Sequence, residues 1–563
     1  MEALLHYHSR VLRRSERNEI IMNGIGRRSS HFIAAFLVWA AAVVAGCTDN
    51  ANRNDDASLQ IETQPRGGVK PTGFPIVDKP ITIRMMGARY NTHGEWKDML
   101  VFKEYEKKTN IHIEWDTVPD SIFMAKRNIA LAGGKLPDAF YRANLSPSDE
   151  VNYGAQGIII PLNDLIDHYG PNIKAMFAKY PEIKRSITAP DGNIYTLPQV
   201  ADYLAPRINQ KPWINKKWLD KLHLSMPTTT DEYYQVLKAF KEQDPNGNGV
   251  QDEIPWSGTK GLTIWMGLRG AWGLGTTGGR VRNIDLDPGG KVRFYPADPR
   301  YKELLEYMAR LYKEGLIDKE VFTTVGEQFA AKGRNGVVGS LHANNANNLG
   351  PEYFSDYVAM PALKGPHGDQ LYSQVLPVLQ VQGTFAITKA NKAPEATMRW
   401  VDYFFSEEGS KFFRMGIEGE TYDTQPSGDF QYGVSIRHNP DGLSLDQAVG
   451  QFSPWPGGGL PHMIYERYDK TPNSMPSALA AAKLLEPYIP SQIWPSFLFT
   501  RQEQRQVNAL QTDIDPYVEE MRIKFITGTE PFSLWDHYVN TLQKMGVADL
   551  IDIYAAAFAR YKQ

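Results

Sequence analysis

The chain has 563 residues, 42% apolar and 22% charged, the proportions of a soluble globular protein too long for a single hydrophobic core. Sixty-one Lys and Arg against 64 Asp and Glu leave a net charge of -3, which gives no basic surface for a nucleic acid. The one cysteine excludes a disulfide within the chain and any Cys-ligated zinc or iron–sulfur centre.

Residues 1–46 hold six Arg, three Glu and no Lys. Arg27-Arg28 stand just ahead of a 15-residue apolar run, Phe32 to Gly46, too short to span a bilayer and of signal-peptide length. The run closes Val44-Ala45-Gly46-Cys47, which resembles the bacterial lipobox, and the only cysteine stands at that junction. The resemblance implies a signal peptide over 1–46, with Met22 as the expected start, and a lipid on Cys47. The competing reading is an uncleaved anchor helix with a small buried cysteine. Residues 47–72 lack aromatic residues and have few aliphatic ones, so they are expected to form a tether of roughly 25–30 Å r.m.s..

The body reads as α/β. Ile81–Gly87 is a strand, 95–108 a helix and Ile111–Trp115 an alternating strand. A helix over 120–133 and a short strand over Asp138–Tyr141 follow. This strand–helix–strand order predicts a sheet flanked by helices. Further helices are expected over 163–185, 213–223, 229–243, 299–315, 395–415 and 500–560.

Several phrases resemble those of bacterial extracellular solute-binding proteins of ABC importers. They are Leu131-Ala-Gly-Gly-Lys-Leu-Pro-Asp138, Gln156-Gly-Ile-Ile-Ile-Pro-Leu-Asn-Asp164 and Asp191-Gly-Asn-Ile-Tyr-Thr-Leu-Pro198. Trp218-Leu-Asp-Lys-Leu222, Leu311-Tyr-Lys-Glu-Gly-Leu-Ile-Asp318, Ile417-Glu-Gly-Glu-Thr-Tyr422 and Lys524-Phe-Ile-Thr-Gly528 continue the set to about residue 560. The resemblance implies a type II periplasmic-binding-protein-like α/β fold, with two lobes around a ligand cleft and extra C-terminal helices. The first lobe is expected over 73–200 and 382–440, the second over 201–381 and 441–563.

Residues 244–253 read Asp-Pro-Asn-Gly-Asn-Gly-Val-Gln-Asp-Glu. Side-chain oxygens recur at 244, 246 and 248, Gly249 permits a sharp turn, and two carboxylates follow, a pattern suited to Ca2+. The twelfth position, where an EF-hand carries Glu, is Pro255, so this is not an EF-hand. The loop is similar to the calcium loop of polysaccharide-binding members of the family, which implies Asp244, Asn246, Asn248, the Val250 carbonyl, Asp252 and Glu253 as ligands. The bland alternative is a metal-free Asp/Asn/Gly turn.

No metalloprotease, nucleophile-elbow or P-loop motif is present, and no enzymatic activity is expected. Sugars suit aromatic platforms with planar hydrogen-bonding groups, beyond the carboxyl ends of strands. Candidates are Arg89, Tyr90, Trp96, Tyr141, Arg142, Asp202, Tyr203, Trp272, His342, Asn344, Asn345 and Trp455, while Trp115, Trp218, Trp400 and Trp535 are expected in the core. Gly457-Gly-Gly459 reads as a flexible loop. The expected function is capture of an oligosaccharide for ABC permease subunits, by a monomer lipid-anchored at the outer face of a bacterial membrane. A surface sensor or adhesin, or a glycoside hydrolase or lyase, are the rival readings. If Cys47 carries the lipid, Cys47→Ala releases the protein into the medium or leaves it unprocessed. A processed mutant that stays on the membrane would sink the lipobox reading.

Overall fold

A computed structural model describes residues 68–563 apart from 209, 261–263 and 351; Cys47 and most of the expected tether lie outside the described residues. The body begins earlier than the expected residue 73. Val69 is buried and bridges Val77, and Arg399 donates from Nε to the Lys70 carbonyl at 3.0 Å.

Six strands form the first sheet, in the spatial order Met463–Ile464, Leu197–Ala201, Leu379–Ile387, Ala139–Tyr141, Ile81–Arg89, Ile111–Pro119. Ile81 pairs in parallel with Ile111, and Met85 with Ala139. Only Leu379–Ile387 runs antiparallel to its neighbours, so the other strands share one carboxyl edge. Strand alternation buries both faces. Ile83 and Met85 enter one core with Tyr105, Trp400 and Phe404, while Met86, Ala88, Phe140 and Ala386 enter a second.

The second sheet orders Tyr357–Ala359, Lys211–Asn215, Val338–Ala343, Ile254–Ser257. One face meets the C-terminal helices through Trp256, Ile514, Phe525 and Leu550. Trp115, half-buried, packs on the first core, and Trp218, Trp400 and Trp535 are buried, as expected of core tryptophans. The expected helix over 213–223 is instead a strand, Lys211–Asn215, followed by a short helix, Lys216–Lys221. The expected helix over 163–185 is three helices, Asn163–Tyr169, Pro171–Lys179 and Pro181–Ile187, because Pro171 and Pro181 each start a new one. The candidate His342 lies in a strand, Val338–Ala343, and Asn344 and Asn345 just beyond it.

Each sheet and its helices make a lobe. Ala448, Val449, Leu460, Met463 and Tyr468 bury in the first lobe's core, so 441–468, expected with the second lobe, packs with the first. The chain passes between the sheets after Ala201 and before Leu379, and leaves the first sheet for the C-terminal helices after Asp469. At the last passage, Arg414 Nη2 donates to Asp469 Oδ1 at 2.6 Å, with both side chains 3% exposed. The Tyr203 hydroxyl, on the first passage, donates to the other Asp469 oxygen. Leu498, just ahead of the long C-terminal helix Arg501–Thr527, inserts into the first lobe's second core beside Val151, Ala189 and Tyr195.

Burial depresses His342 to about 4, and burial aided by the Arg414 charge depresses His462 to about 3. Between pH 6.5 and these values, the unfolded chain takes up protons that the folded chain refuses. Stability therefore falls with falling pH, by about 1.4 kcal/mol per pH unit for each such histidine. Burial raises Glu150 to about 8 and Asp402 to about 6, and these two act in the opposite sense. His342→Gln should lose about 2 kcal/mol less stability than wild type between pH 6.5 and 4.5 in urea titrations. Equal losses would mean that folded His342 accepts a proton.

Candidate functional site

Past Arg89, at the carboxyl edge of the first sheet, the chain turns through Tyr90 and His93. Tyr90 is 36% exposed, and the Arg142 guanidinium lies 4.7 Å from its ring centroid. Arg142 sits just beyond Tyr141 with φ +54° and Asn144 follows with φ +50°, two left-handed non-glycine residues in three positions. Such backbone persists where surrounding contacts hold it. Here Arg142 donates from Nη1 to Asp120 Oδ1 (3.0 Å) and from Nε to the Gly458 carbonyl (2.8 Å).

The 457–459 segment is therefore braced rather than loose. All three glycines have positive φ, and the Gly459 amide donates to Gln199 Oε1 at 3.3 Å. A Cβ on Gly457 would stand 2.9 Å from a Tyr90 ring carbon, so the close approach requires glycine. His93 holds the other side: Nε2 donates to the Pro456 carbonyl at 2.7 Å, which leaves Nδ1 to accept from the Trp96 indole at 3.3 Å. Burial lowers His93 to about 4, keeping this neutral tautomer through the physiological range.

Of the predicted ligand residues, the structure gathers Tyr90 and Arg142 at this edge. Arg89 lies beside them, ion-paired to Glu95 at 3.0 Å. Trp96 and Tyr141 are wholly buried, their rings 5.8 Å apart in the first core, and offer no face to a ligand. Trp455 is also buried: its indole donates to the Arg414 carbonyl at 3.0 Å and the Arg414 guanidinium covers its ring at 4.1 Å. Asp202 accepts from Lys179 at 2.7 Å and from Tyr180, and Tyr203 is bound to Asp469. Trp272 packs in the second core against Tyr307, and His342 is buried beside Trp256. Asn344 is exposed and its carbonyl accepts from Lys211, while buried Asn345 caps the Asn347 amide at 2.9 Å. Sequence reading missed His93, Asp120, Asn144 and Gln199. Gln199 had a usable signal, a lone polar residue in the middle of a strand otherwise made of Leu197, Pro198, Val200 and Ala201.

The 244–253 loop follows the Thr230–Glu242 helix, whose Thr229 and Glu232 form a capping box. Asp244 accepts from the Gly247 amide at 2.9 Å and the Gly249 amide at 3.1 Å. Asp252 takes the side-chain amides of Asn246 and Asn248 at 2.9 Å and 3.0 Å. Val250 closes the turn, its amide bound to Asn248 Oδ1 at 2.7 Å and its carbonyl accepting from the Asp252 amide at 3.0 Å. Among the described residues, no group of three or more His, Cys, Asp or Glu side chains converges as a ready metal centre. Glu253, however, is 2% exposed and both its carboxylate oxygens are buried without a hydrogen-bond partner. Burial first, then the Asp244 and Asp252 charges, raise its pKa. An orphaned carboxylate beside two others is a donor set that fits a cation.

Residues 90–411 match the family model described as bacterial extracellular solute-binding protein. The chain is 30% identical over 543 residues, 94% of its length and 98% of the relative's, to the fructooligosaccharide ABC transporter substrate-binding protein FusA of Streptococcus pneumoniae. It is 28% identical over 358 residues, 62% of its length and 68% of the relative's, to the polygalacturonan/rhamnogalacturonan-binding protein YtcQ of Bacillus subtilis. The structure of FusA with kestose superposes with a TM-score of 0.70 at 28% identity, covering 86% of this chain and 99% of that one. An EF-hand mutant of FusA with fructo-nystose gives a TM-score of 0.69 at the same identity and coverage. The alginate-binding protein AlgQ2, solved without calcium ion, gives 0.65 at 25% identity, covering 87% of this chain and all of that one.

Proposed function

The chain belongs to the bacterial extracellular solute-binding protein family, and on that footing we propose that it captures an oligosaccharide and hands it to the permease subunits of an ABC importer. It is a binding protein rather than an enzyme. The observation that carries the ligand class is the carboxyl edge of the first sheet. There the partly exposed Tyr90 ring is backed by the buried Arg142 guanidinium, with the half-buried Asn144 amide nearby, all fixed by a glycine loop that buried Gln199 braces. A flat aromatic held rigidly near a side-chain amide suits the apolar face and hydroxyl edge of a pyranose or furanose. FusA, YtcQ and AlgQ2 are named as binders of fructooligosaccharide, polygalacturonan/rhamnogalacturonan and alginate, which supports the same class.

Cys47 is proposed as the lipid anchor at the extracellular face. No helix among the described residues is long and apolar enough to cross a membrane.

Calcium is proposed at the 244–253 loop, held by Asp244, Asn246, Asn248, the Val250 carbonyl, Asp252 and Glu253. The ion would supply the positive charge that Glu253 lacks. The protein side of the site is three carboxylates around a turn that Gly247 and Gly249 allow, both at positive φ. The site's role is to stiffen the turn that leads into the Ile254–Ser257 strand.

Two outcomes are expected. Saturating calcium should stabilise the protein, by about 2.7 kcal/mol at a hundred times Kd, and a chelator should lower Tm. Glu253→Gln should abolish that response, and an unchanged wild-type melting curve in chelator would rule out the ion. Tyr90→Ala should weaken oligosaccharide binding by about 1–3 kcal/mol without lowering Tm. Calorimetry with fructo-oligosaccharides, oligogalacturonides and oligoalginates measures it. Wild-type affinity in the mutant would remove Tyr90 from the site, and no binding of any saccharide would refute the ligand class.

A further inference from the structure

Two guanidiniums stand beside Tyr90, and both are already engaged by the protein. Arg142 uses four of its five N–H donors internally. Nε donates to the Gly458 carbonyl at 2.8 Å and Nη2 to the Gly457 carbonyl at 3.3 Å. Nη1 donates to the Ala88 carbonyl at 3.3 Å and to Asp120 Oδ1 at 3.0 Å. A carboxylate arriving from outside finds no free fork on this side chain, and the fork is what makes arginine a strong carboxylate partner. Arg89 pairs through Nη1 with Glu95 Oε1 at 3.0 Å. Past the Leu197–Ala201 strand, Lys179 is held by Asp202 at 2.7 Å.

The two pairs beside Tyr90 are oriented alike. The Asp120 side chain is 39% exposed against 6% for Arg142, and that of Glu95 is 52% exposed against 29% for Arg89. In each pair the carboxylate is the outer partner and the cation lies behind it. His93 adds no charge, since burial keeps its ring neutral. The pairs sum to zero, yet the charged atoms a solute meets first are carboxylate oxygens.

Strand register explains the placement. Arg89 and Pro119 are partners in the parallel ladder, so the residues that follow them, Tyr90 and Asp120, leave the sheet side by side. Asp120 also opens the Asp120–Gly133 helix, where a carboxylate is favoured by the free amides of the first turn. Glu95 closes the turn that begins at Tyr90 and so returns to Arg89.

This arrangement sorts ligands by charge. A sugar hydroxyl can donate to an outward carboxylate oxygen. A uronate has no proton to give there: it sheds water, finds no free guanidinium fork and meets like charge. One like charge at about 4 Å in water changes an equilibrium about fivefold, and a desolvated, unpaired carboxylate loses more. We propose that Glu95 and Asp120 are specificity-determining residues, which bias the Tyr90 edge toward uncharged oligosaccharides and against those built of uronates. The inference rests on the oligosaccharide reading above and narrows it.

The test uses fructo-oligosaccharides, oligogalacturonides and the methyl esters of those oligogalacturonides, which keep the sugar and lose the charge. Affinities are measured by calorimetry, and by competition for weak ligands. Wild type should bind at least one neutral set, and the free acids at least tenfold more weakly than the tighter neutral set. Raising the salt should narrow this gap, because exposed charges are screened. The double variant Glu95→Gln, Asp120→Asn should narrow it at least threefold at low salt. Glu95→Gln alone alters an exposed side chain, and should narrow it about twofold even if the double variant folds poorly. A purely structural loss would weaken neutral and acidic ligands alike and leave the gap unchanged. Free acids bound within tenfold of the neutral sets, or a gap that neither salt nor Glu95→Gln narrows, would overturn charge selection while leaving the oligosaccharide reading intact. If wild type binds none of the three sets, the functional reading fails and this inference with it.

Discussion

The buried pair of Arg414 and Asp469 is the contact on which the arrangement turns. Against the cost of burying it, Arg414, the Tyr203 hydroxyl and the Thr471 amide hold Asp469 below the usual carboxylate range. Tyr203 lies on one passage between the lobes and Asp469 on another, so a single carboxylate fastens two of the three passages. The Arg414 backbone does a second job, accepting from the Tyr432 hydroxyl at 2.7 Å and from Trp455. Trp455 leads directly into the glycine loop of the binding edge. Removing one partner of such a pair strands a charge in the interior, a loss of about 3–5 kcal/mol.

The binding edge follows from sheet direction. Parallel strands point their carboxyl ends the same way, so residues far apart in sequence, Tyr90, Arg142 and Gln199, arrive at one rim. Local chemistry then fixes them. His93 must stay neutral to donate to one carbonyl while accepting from an indole, and burial keeps it so. Two residues in left-handed backbone, Arg142 and Asn144, spend conformational energy on aiming their side chains, and Asp120 with the glycine-loop carbonyls holds the first of them in place.

The sequence was most legible where one period dominated. Ile111–Trp115 alternates and Tyr105 recurs on a helical stripe, so the first half of the first sheet could be read directly. The second sheet could not. All five residues of Lys211–Asn215 are buried, so alternation is absent, and the Trp-rich stretch passed for a helix. Aromatic residues in loops were ambiguous for a related reason. A loop position does not say whether a ring turns outward, as Tyr90 does, or back into the core, as Trp96 and Trp455 do. The acidic loop was clear in its spacing, but the isolation of Glu253 depends on packing that spacing alone does not contain.

Leu498 belongs by sequence to the segment that feeds the second lobe's helices, yet its side chain is seated in the first lobe's second core. Any separation of the lobes at this point must draw it into water, at about 1.5–3 kcal/mol for a fully exposed leucine. That amounts to one or two powers of ten against undocking Leu498. Leu498 thus acts as a pin, tying the segment that feeds the C-terminal helices to the first lobe.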